Sequence, residues 1–181
     1  ICNMLEIEES VYYNVSELQS NTLKNMRKFH NYVKNRLIGV AKKGDTLIDY
    51  ACGKGGDLAK WTHAKLAFVF GIDISKDNLE NRIDGSCARY LNEKSVFREI
   101  PGALFVLGDS SKNIRNNDAM MDAKSKIITS AVFGKIPNKN LDKMVEMYYG
   151  IGKTGFNVSS CQFAVHYMFA DKVSLLNFIQ N

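Results

Sequence analysis

A glycine cluster that directly follows a short apolar run constrains the fold of this chain more than any other feature. Residues 46–52 (TLIDYAC) are apolar and rich in β-forming residues, and glycines follow at positions 53, 55 and 56. Glycines at such a point permit a tight turn and a close approach of the backbone to a ligand. The segment therefore predicts a buried strand that ends in a ligand-binding loop.

Strand and helix patterns alternate after this loop. Further apolar runs occupy 66–74, 103–110 and the beginning of 156–169. Helical patterns cover Leu58 to about His63, Lys76 to Leu91 and the residues from Val173 onward. Apolar strands separated by helices predict an α/β fold with a parallel sheet covered on both faces. Ligands of such sheets bind outside the carboxyl ends of the strands.

Two further segments flank or interrupt this alternation. Residues 1–20 are mixed and acidic, and we expect a strap or short helix there, ahead of a single domain over 21–181. A helix is predicted from Asn21, with one face that carries Lys24, Arg27, Asn31 and Lys34. The long segment 112–153 shows a helical pattern only near 140–149, and the sequence assigns it no role.

Basic residues are concentrated in one part of the chain. The net charge is +5, and residues 18–44 contain seven lysines and arginines and no acid. Local basicity suits an anionic partner, although a charge run alone fits a solvated helix equally well. No run approaches the length of a membrane span, so no membrane partner is expected. The four cysteines form no C-x-x-C pair, so no metal site is expected.

Spacing separates the cofactor classes that use glycine loops. A dinucleotide loop requires G-x-G-x-x-G, but Leu58 stands where the last glycine is needed. The phosphate loop G-x-x-x-x-G-K-[ST] is absent. The pattern D/E-x-x-x-G-x-G of S-adenosylmethionine loops is met by Asp49, Gly53 and Gly55. The glycine segment therefore predicts an S-adenosylmethionine site.

Acids at the ends of the next two strands support the same cofactor. Asp73 ends the second strand, where a carboxylate can accept both ribose hydroxyls. Asp109 and Ser110 end the third, where an acid can receive the adenine amino group. Either acid alone would more commonly be a turn or helix-capping residue. It is their order along three successive strand ends that favours a cofactor site.

Four stretches together resemble one family, the mRNA cap guanine-N7 methyltransferases. They are MRKFHNYVK (26–34), LIDYACGKGGDLAKW (47–61), GIDIS with its following helix (71–90) and SSCQFAVHYMF (159–169). The resemblance runs from about 24 to 181, and the long insertion is similar to those of large-DNA-virus enzymes. It implies a Rossmann-like class I S-adenosylmethionine-dependent methyltransferase. Because that fold normally has seven strands, the C-terminal strands would be missing from this chain.

The resemblance also implies roles for individual residues. The cofactor-binding set is Lys34, Asp49, Ala51, Gly53, Asp73, Asp109, Ser110, Gln162 and Tyr167. The set that lines the cap pocket and its phosphates is Asn31, Lys54, Lys60, Phe163, His166 and Tyr167. Ala51 replaces a usual glycine, and both Arg82 and Arg89 fit a family arginine that contacts the cap. No catalytic base is expected, because the mechanism works by positioning.

The implied activity is methyl transfer to N7 of the guanosine cap, with capped RNA (GpppN-RNA) as partner. Capping-enzyme domains or an activating subunit could accompany it, in the nucleus or cytoplasm, or in a virion or viral factory. The residues leave two alternatives: a methyltransferase with another RNA or small-molecule target, and a non-catalytic binding subunit. In isolation, Phe163 and Tyr167 would also fit buried core aromatics.

Overall fold

The computed structural model describes residues 21–181, so the strap or short helix expected over 1–20 lies outside the described residues. The chain divides into two compact units, which end and begin at Leu37 and Ile38. Helix α1 (Asn21–Ile38) confirms the helix predicted from Asn21 and belongs almost wholly to the first unit.

The second unit alternates strands and helices, as the sequence predicts. Its strands are β1 (Thr46–Asp49), β2 (Phe68–Asp73), β3 (Gly102–Leu107) and β4 (Val158–Ser160). Its helices are α2 (Leu58–His63), α3 (Lys76–Glu80), α4 (Ser86–Val96), α5 (Ala123–Val132), α6 (Lys143–Met147), a 3-10 helix (Val165–Phe169) and α7 (Lys172–Gln180). Each strand is shorter than the apolar run that predicted it, because the chain turns before the run ends.

The four strands form one parallel sheet in the order β3-β2-β1-β4. The register aligns Leu47 of β1 with Val69 of β2 and Val158 of β4, and Val69 with Ala103 of β3. The chain adds β2 and β3 on one side of β1 and then returns to place β4 on the other. The reversal between β1 and β4 creates the crevice where sheets of this kind bind ligands.

Alternate residues of the strands build two separate cores. Leu47 and Val69 face the core that contains Trp61 of α2, while Ile48 and Phe70 face the one that contains Ala131 of α5. The central strand β2 is buried along its whole length. Burial on both faces explains why its sequence is continuously apolar instead of alternating, and the sheet is covered on both faces as predicted.

The predicted helix from Lys76 to Leu91 is wrong in one respect, because the chain breaks it into α3 and α4. The Asn81 side-chain oxygen accepts hydrogen bonds from the backbone N–H groups of Ile83 (3.0 Å) and Asp84 (3.3 Å). At Gly85 a Cβ would lie 2.6 Å from the Asn81 carbonyl oxygen. Asparagine competes for backbone groups in this way, and helical periodicity does not reveal it.

The prediction that segment 112–153 is helical only near 140–149 is also wrong. Helix α6 falls inside that range, but α5 was not predicted. Its start is capped by Asp122, whose Oδ1 accepts a hydrogen bond of 2.6 Å from the backbone N–H of Ser125. The second half of α5, from Ile128 to Val132, is buried at every residue, so this half lacks the polar stripe that marks a surface helix.

Candidate functional site

The glycine loop after β1 adopts a conformation that only glycine accommodates without strain. Gly53 and Gly55 have φ angles of +54° and +69°. A Cβ at Gly55 would lie 3.1 Å from Leu58 Cδ1 and 3.4 Å from Ser86 Cα. The loop therefore packs tightly against α2 and the start of α4, and its backbone lies at the carboxyl end of β1.

The Asp73 carboxylate is the hub that joins this loop to the end of β2. Asp73 is 7% exposed, and its Oδ2 accepts a hydrogen bond of 2.7 Å from the Gly53 N–H. Its Oδ1 accepts from the Ser75 N–H (2.9 Å) and from Asn78 Nδ2 (3.0 Å). The sequence identified Asp73 but not Asn78, which local motifs do not distinguish from any polar residue of a short helix.

Hydrogen bonds also connect the end of β1 with β4 and with the loop after β3. The Tyr50 N–H donates to the Ser160 carbonyl at 2.9 Å, and the Tyr50 carbonyl accepts from Ser110 Oγ at 2.7 Å. Asp49 is 1% exposed, and its Oδ1 accepts from the Ala51 N–H at 3.2 Å. Asp49, Ala51 and Ser110 therefore meet at one edge of the sheet.

Asp109 lies beside Ser110 at the end of β3. Its Oδ1 accepts hydrogen bonds from the Ser111 N–H (3.0 Å) and the Ser111 hydroxyl (2.6 Å), and Lys112 Nζ lies 3.2 Å from Oδ2. Partial burial raises the pKa of Asp109, but the bonds from Ser111 and Lys112 outweigh it and lower the pKa below its usual value. The carboxylate is therefore ionised, and able to accept a ligand's hydrogen bond, at neutral pH.

Lys54, predicted as a phosphate-binding residue, is held by two carboxylates. Its Nζ lies 3.0 Å from both oxygens of Asp84 and 3.3 Å from Asp77 Oδ2. The hydrogen bond to Asp84 raises the pKa of Lys54, with burial opposing it and Asp77 adding to it. The Lys54 carbonyl accepts from Arg89 Nη1 at 2.9 Å, whereas Arg82 is exposed. We call Lys54, Asp77 and Asp84 the lysine clamp.

Lys60 contacts the other end of the glycine loop. It is 8% exposed, its Nζ lies 2.9 Å from Asp57 Oδ1, and it donates to the Gly56 carbonyl at 3.3 Å. A lysine placed in this way stabilises the turn from the glycine loop into α2. The Lys60 ammonium group thus has two contacts within the loop. Its role at the cap pocket and its phosphates stays a prediction from the sequence.

The segment after β4 presents aromatic side chains outward. Gln162 Nε2 donates to Ser160 Oγ at 3.3 Å, and Phe163 has a φ of +59° and is 51% exposed. The rings of His166 and Tyr167 lie 4.0 Å apart between centroids, and Tyr167 is 68% exposed. Phe163 and Tyr167 are thus not core aromatics in this part of the chain.

Asn31 and Lys34 lie on α1, three residues apart, in the first unit. Among residues 21–181, no cluster of three or more His, Cys, Asp or Glu side chains is arranged to hold a metal ion. No helix within the same range is long and apolar enough to cross a membrane.

The parallel sheet, its glycine loop and the acids at its carboxyl edge define a Rossmann-like α/β domain of the class I methyltransferase type. The family described as the mRNA (guanine-N(7))-methyltransferase domain matches residues 9–181. Because the match covers nearly the whole sequence, the chain belongs to this family.

Relatives in viruses, plants and animals show the same similarity. A probable mRNA-capping enzyme of Acanthamoeba polyphaga mimivirus is 31% identical over 86% of this chain and 12% of its own length. The mRNA cap guanine-N(7) methyltransferase 1 of Arabidopsis thaliana is 29% identical over 84% of the chain and 33% of its own length. The mRNA cap guanine-N(7) methyltransferase of Caenorhabditis briggsae is 29% identical over 86% of the chain and 34% of its own length. The chain thus spans from about an eighth to a third of these relatives.

Proposed function

We propose that this chain is the cofactor-binding part of an enzyme that methylates N7 of the guanosine cap of RNA, with S-adenosylmethionine as methyl donor. The convergence of Gly53, Asp73 and Ser110 at the carboxyl ends of β1, β2 and β3 carries the proposal. Membership of the mRNA (guanine-N(7))-methyltransferase family supports the choice of substrate.

The residues at these strand ends fit S-adenosylmethionine. Each oxygen of the buried Asp73 carboxylate already accepts protein hydrogen bonds, and a carboxylate has about four acceptor positions in all. Three of these positions are used, so one remains for a single ribose hydroxyl, whereas the sequence suggests that Asp73 accepts from both. The ionised Asp109 can accept a hydrogen bond from the adenine amino group. The backbone of Ala51 and Gly53 can approach the methionine part of the cofactor. Gln162, Tyr167 and Asp49 complete the cofactor set proposed for this unit, and the cofactor role of Lys34 stays a prediction from the sequence.

The proposed reaction needs no general base. When bound, S-adenosylmethionine supplies an electrophilic methyl group. Guanine N7 has a free lone pair and carries no proton, so nothing must be removed before it can act as a nucleophile. The chain's contribution is then to hold N7 in line with that methyl group. Such positioning is worth roughly 7–11 kcal/mol of the barrier.

The exposed aromatic segment after β4 is the proposed position of the cap guanine. Phe163, His166 and Tyr167 offer ring faces to a planar base, and the guanine ring becomes positively charged as it is methylated. Lys54 and Lys60 are the remaining cap-pocket residues proposed for this unit, with Lys54 assigned to the phosphates. The cap-pocket role of Asn31 stays a prediction from the sequence.

The proposed setting follows from the relatives. The mimivirus relative is named a probable mRNA-capping enzyme and is far longer than this chain. We therefore propose that the chain acts next to other capping-enzyme domains, or with an activating subunit, on GpppN-RNA. Action in the nucleus, the cytoplasm or a viral factory belongs to the same proposal.

A methyl-transfer assay tests the proposal. The full-length protein is incubated with labelled S-adenosylmethionine and GpppA-RNA, and the labelled nucleoside is identified. We expect 7-methylguanosine, and a decrease in rate of about a hundredfold in His166→Ala and Tyr167→Ala, because a misplaced base loses alignment. Val165→Ala, on the same 3-10 helix, is the matched control and should stay near the wild-type rate. Label in another nucleoside, or no transfer, would contradict the proposal.

A further inference from the structure

The loop that carries Asp109 and Ser110 lacks the regular hydrogen bonds of a strand. It follows β3 and is attached through an isolated bridge between Gly108 and Met120 and a bond from the Asp109 N–H to the Ala119 carbonyl at 2.8 Å. The Ser110 hydroxyl also donates to the Tyr50 carbonyl, but none of these bonds uses the Ser110 or Lys112 carbonyl or the Ile114 N–H, so these backbone groups need other partners to keep the loop in a fixed position.

The side chain of Asn181 supplies three such contacts. Its Nδ2 donates to the carbonyls of Ser110 (3.2 Å) and Lys112 (2.8 Å), and its Oδ1 accepts from the Ile114 N–H (2.8 Å). Both amide hydrogens and the amide oxygen are therefore used on one short loop. Only a carboxamide offers two donors and an acceptor in this arrangement.

The helix that precedes Asn181 is itself fixed at the end of β1. Phe178 of α7 packs edge-to-face on Tyr50, with ring centroids 5.2 Å apart. The Tyr50 carbonyl accepts the Ser110 hydroxyl, and the Ser110 carbonyl accepts Asn181. These contacts form a closed circuit through β1, the loop after β3, and α7, so a movement of α7 displaces the loop.

We propose that Asn181 is a positioning residue for the adenine side of the cofactor site, acting through the backbone of residues 110–114. The inference rests on the proposed function, since it assigns that loop to adenine. Asn181 itself need not touch the cofactor. Its loss allows Asp109 and Ser110 to shift, which weakens binding and reduces discrimination between adenine and bases that lack its amino group.

The test compares two ligands that differ only in the base. S-adenosylhomocysteine and S-inosylhomocysteine are titrated against the full-length protein, its Asn181→Ala and Asn181→Asp variants, and the control Asn177→Ala. Asn177 lies four residues earlier on α7, and its side chain makes no hydrogen bond among the described residues. Asn181→Asp keeps the shape and the acceptor but removes both donors.

We expect both Asn181 variants to bind S-adenosylhomocysteine about tenfold more weakly, because the loop that carries Asp109 and Ser110 loses hydrogen bonds that fix it. The preference for adenine over hypoxanthine should decrease in parallel, a change that general loss of stability would not cause. The Asn177 control should keep wild-type values. If Asn181→Ala does not fold, Asn181→Asp decides.

Unchanged affinity and unchanged discrimination in Asn181→Asp would overturn the inference while leaving the proposed function intact. Failure of the wild-type protein to bind either ligand would instead contradict the proposed function. The two failures are therefore distinguishable in one set of titrations.

Discussion

The backbone N–H of Gly53 donates a hydrogen bond of 2.7 Å to the Asp73 carboxylate, across twenty residues of sequence. The acid at the end of β2 therefore fixes the glycine turn after β1, in addition to any role toward a ligand. Because the carboxyl ends of the neighbouring strands β1 and β2 meet here, one buried carboxylate couples the shape of the loop to the proposed ribose site.

Asp73→Asn should lose most of the cofactor affinity. An amide nitrogen cannot accept the bonds that the carboxylate receives, and the charge that strengthens them disappears. We expect binding of S-adenosylhomocysteine, measured by calorimetry, to weaken by about a hundredfold. Asp118→Asn, at an exposed turn, serves as the control. Wild-type affinity in Asp73→Asn would show that this carboxylate does not hold the cofactor.

The lysine clamp should compete with RNA phosphates for Lys54. Lys54→Ala is expected to weaken binding of capped RNA and to lower the slope of log affinity against log salt by about one. Asp84→Asn removes one competing carboxylate, so capped RNA should bind more tightly. Fluorescence anisotropy at several salt concentrations measures both effects, and Asp118→Asn is again the control. An unchanged salt slope in Lys54→Ala would contradict the phosphate assignment.

Two glycines of the same loop should respond differently to alanine. At Gly55 the φ angle is +69° and the added Cβ meets Leu58 and Ser86, whereas at Gly56 nothing lies within 4 Å. We expect Gly55→Ala to lower the free energy of unfolding by about 1–2 kcal/mol, the usual cost of a left-handed non-glycine residue. Gly56→Ala should be close to neutral. Equal effects in urea denaturation would contradict the loop geometry.

The Cys161 thiol should make stability depend on alkaline pH. Burial, followed by the charge of Asp49, raises its pKa from 9.0 to about 11, against a lowering contribution from the Ala164 backbone. The folded state thus keeps the thiol protonated between these values, while the unfolded chain releases the proton. Stability contributed by this group is complete below pH 9 and decreases as the pH rises toward 11.

The difference between wild type and Cys161→Ala isolates that dependence from the titration of lysines and tyrosines. Melting temperatures of both proteins are measured from pH 8 to about pH 11. We expect the wild type to lose more stability than the variant across this range. Parallel curves would show that the thiol ionises equally in both states.

Much of the fold was predictable because local patterns record it. The strand that leads to Asp49, the glycine turn and the acid Asp73 were all identified from spacing and apolar runs. Helix α5 was not predicted, because burial on several sides of its second half removes amphipathic periodicity there. The break between α3 and α4 escaped because it depends on one asparagine side chain that bonds to the backbone.

The sequence by itself determined the alternation of strand and helix, the conformation of the glycine loop and the chemical character of each strand end. These are local properties, set by the period of apolar residues and by glycine's freedom to adopt positive φ. Only the tertiary structure decided which polar groups are paired. Ser110 reaches the Tyr50 carbonyl across sixty residues. Asn181 bonds to the loop after β3 across a sequence separation of 69 to 71 residues. Such partners are chosen by strand order and register, which bring together groups that no local pattern connects.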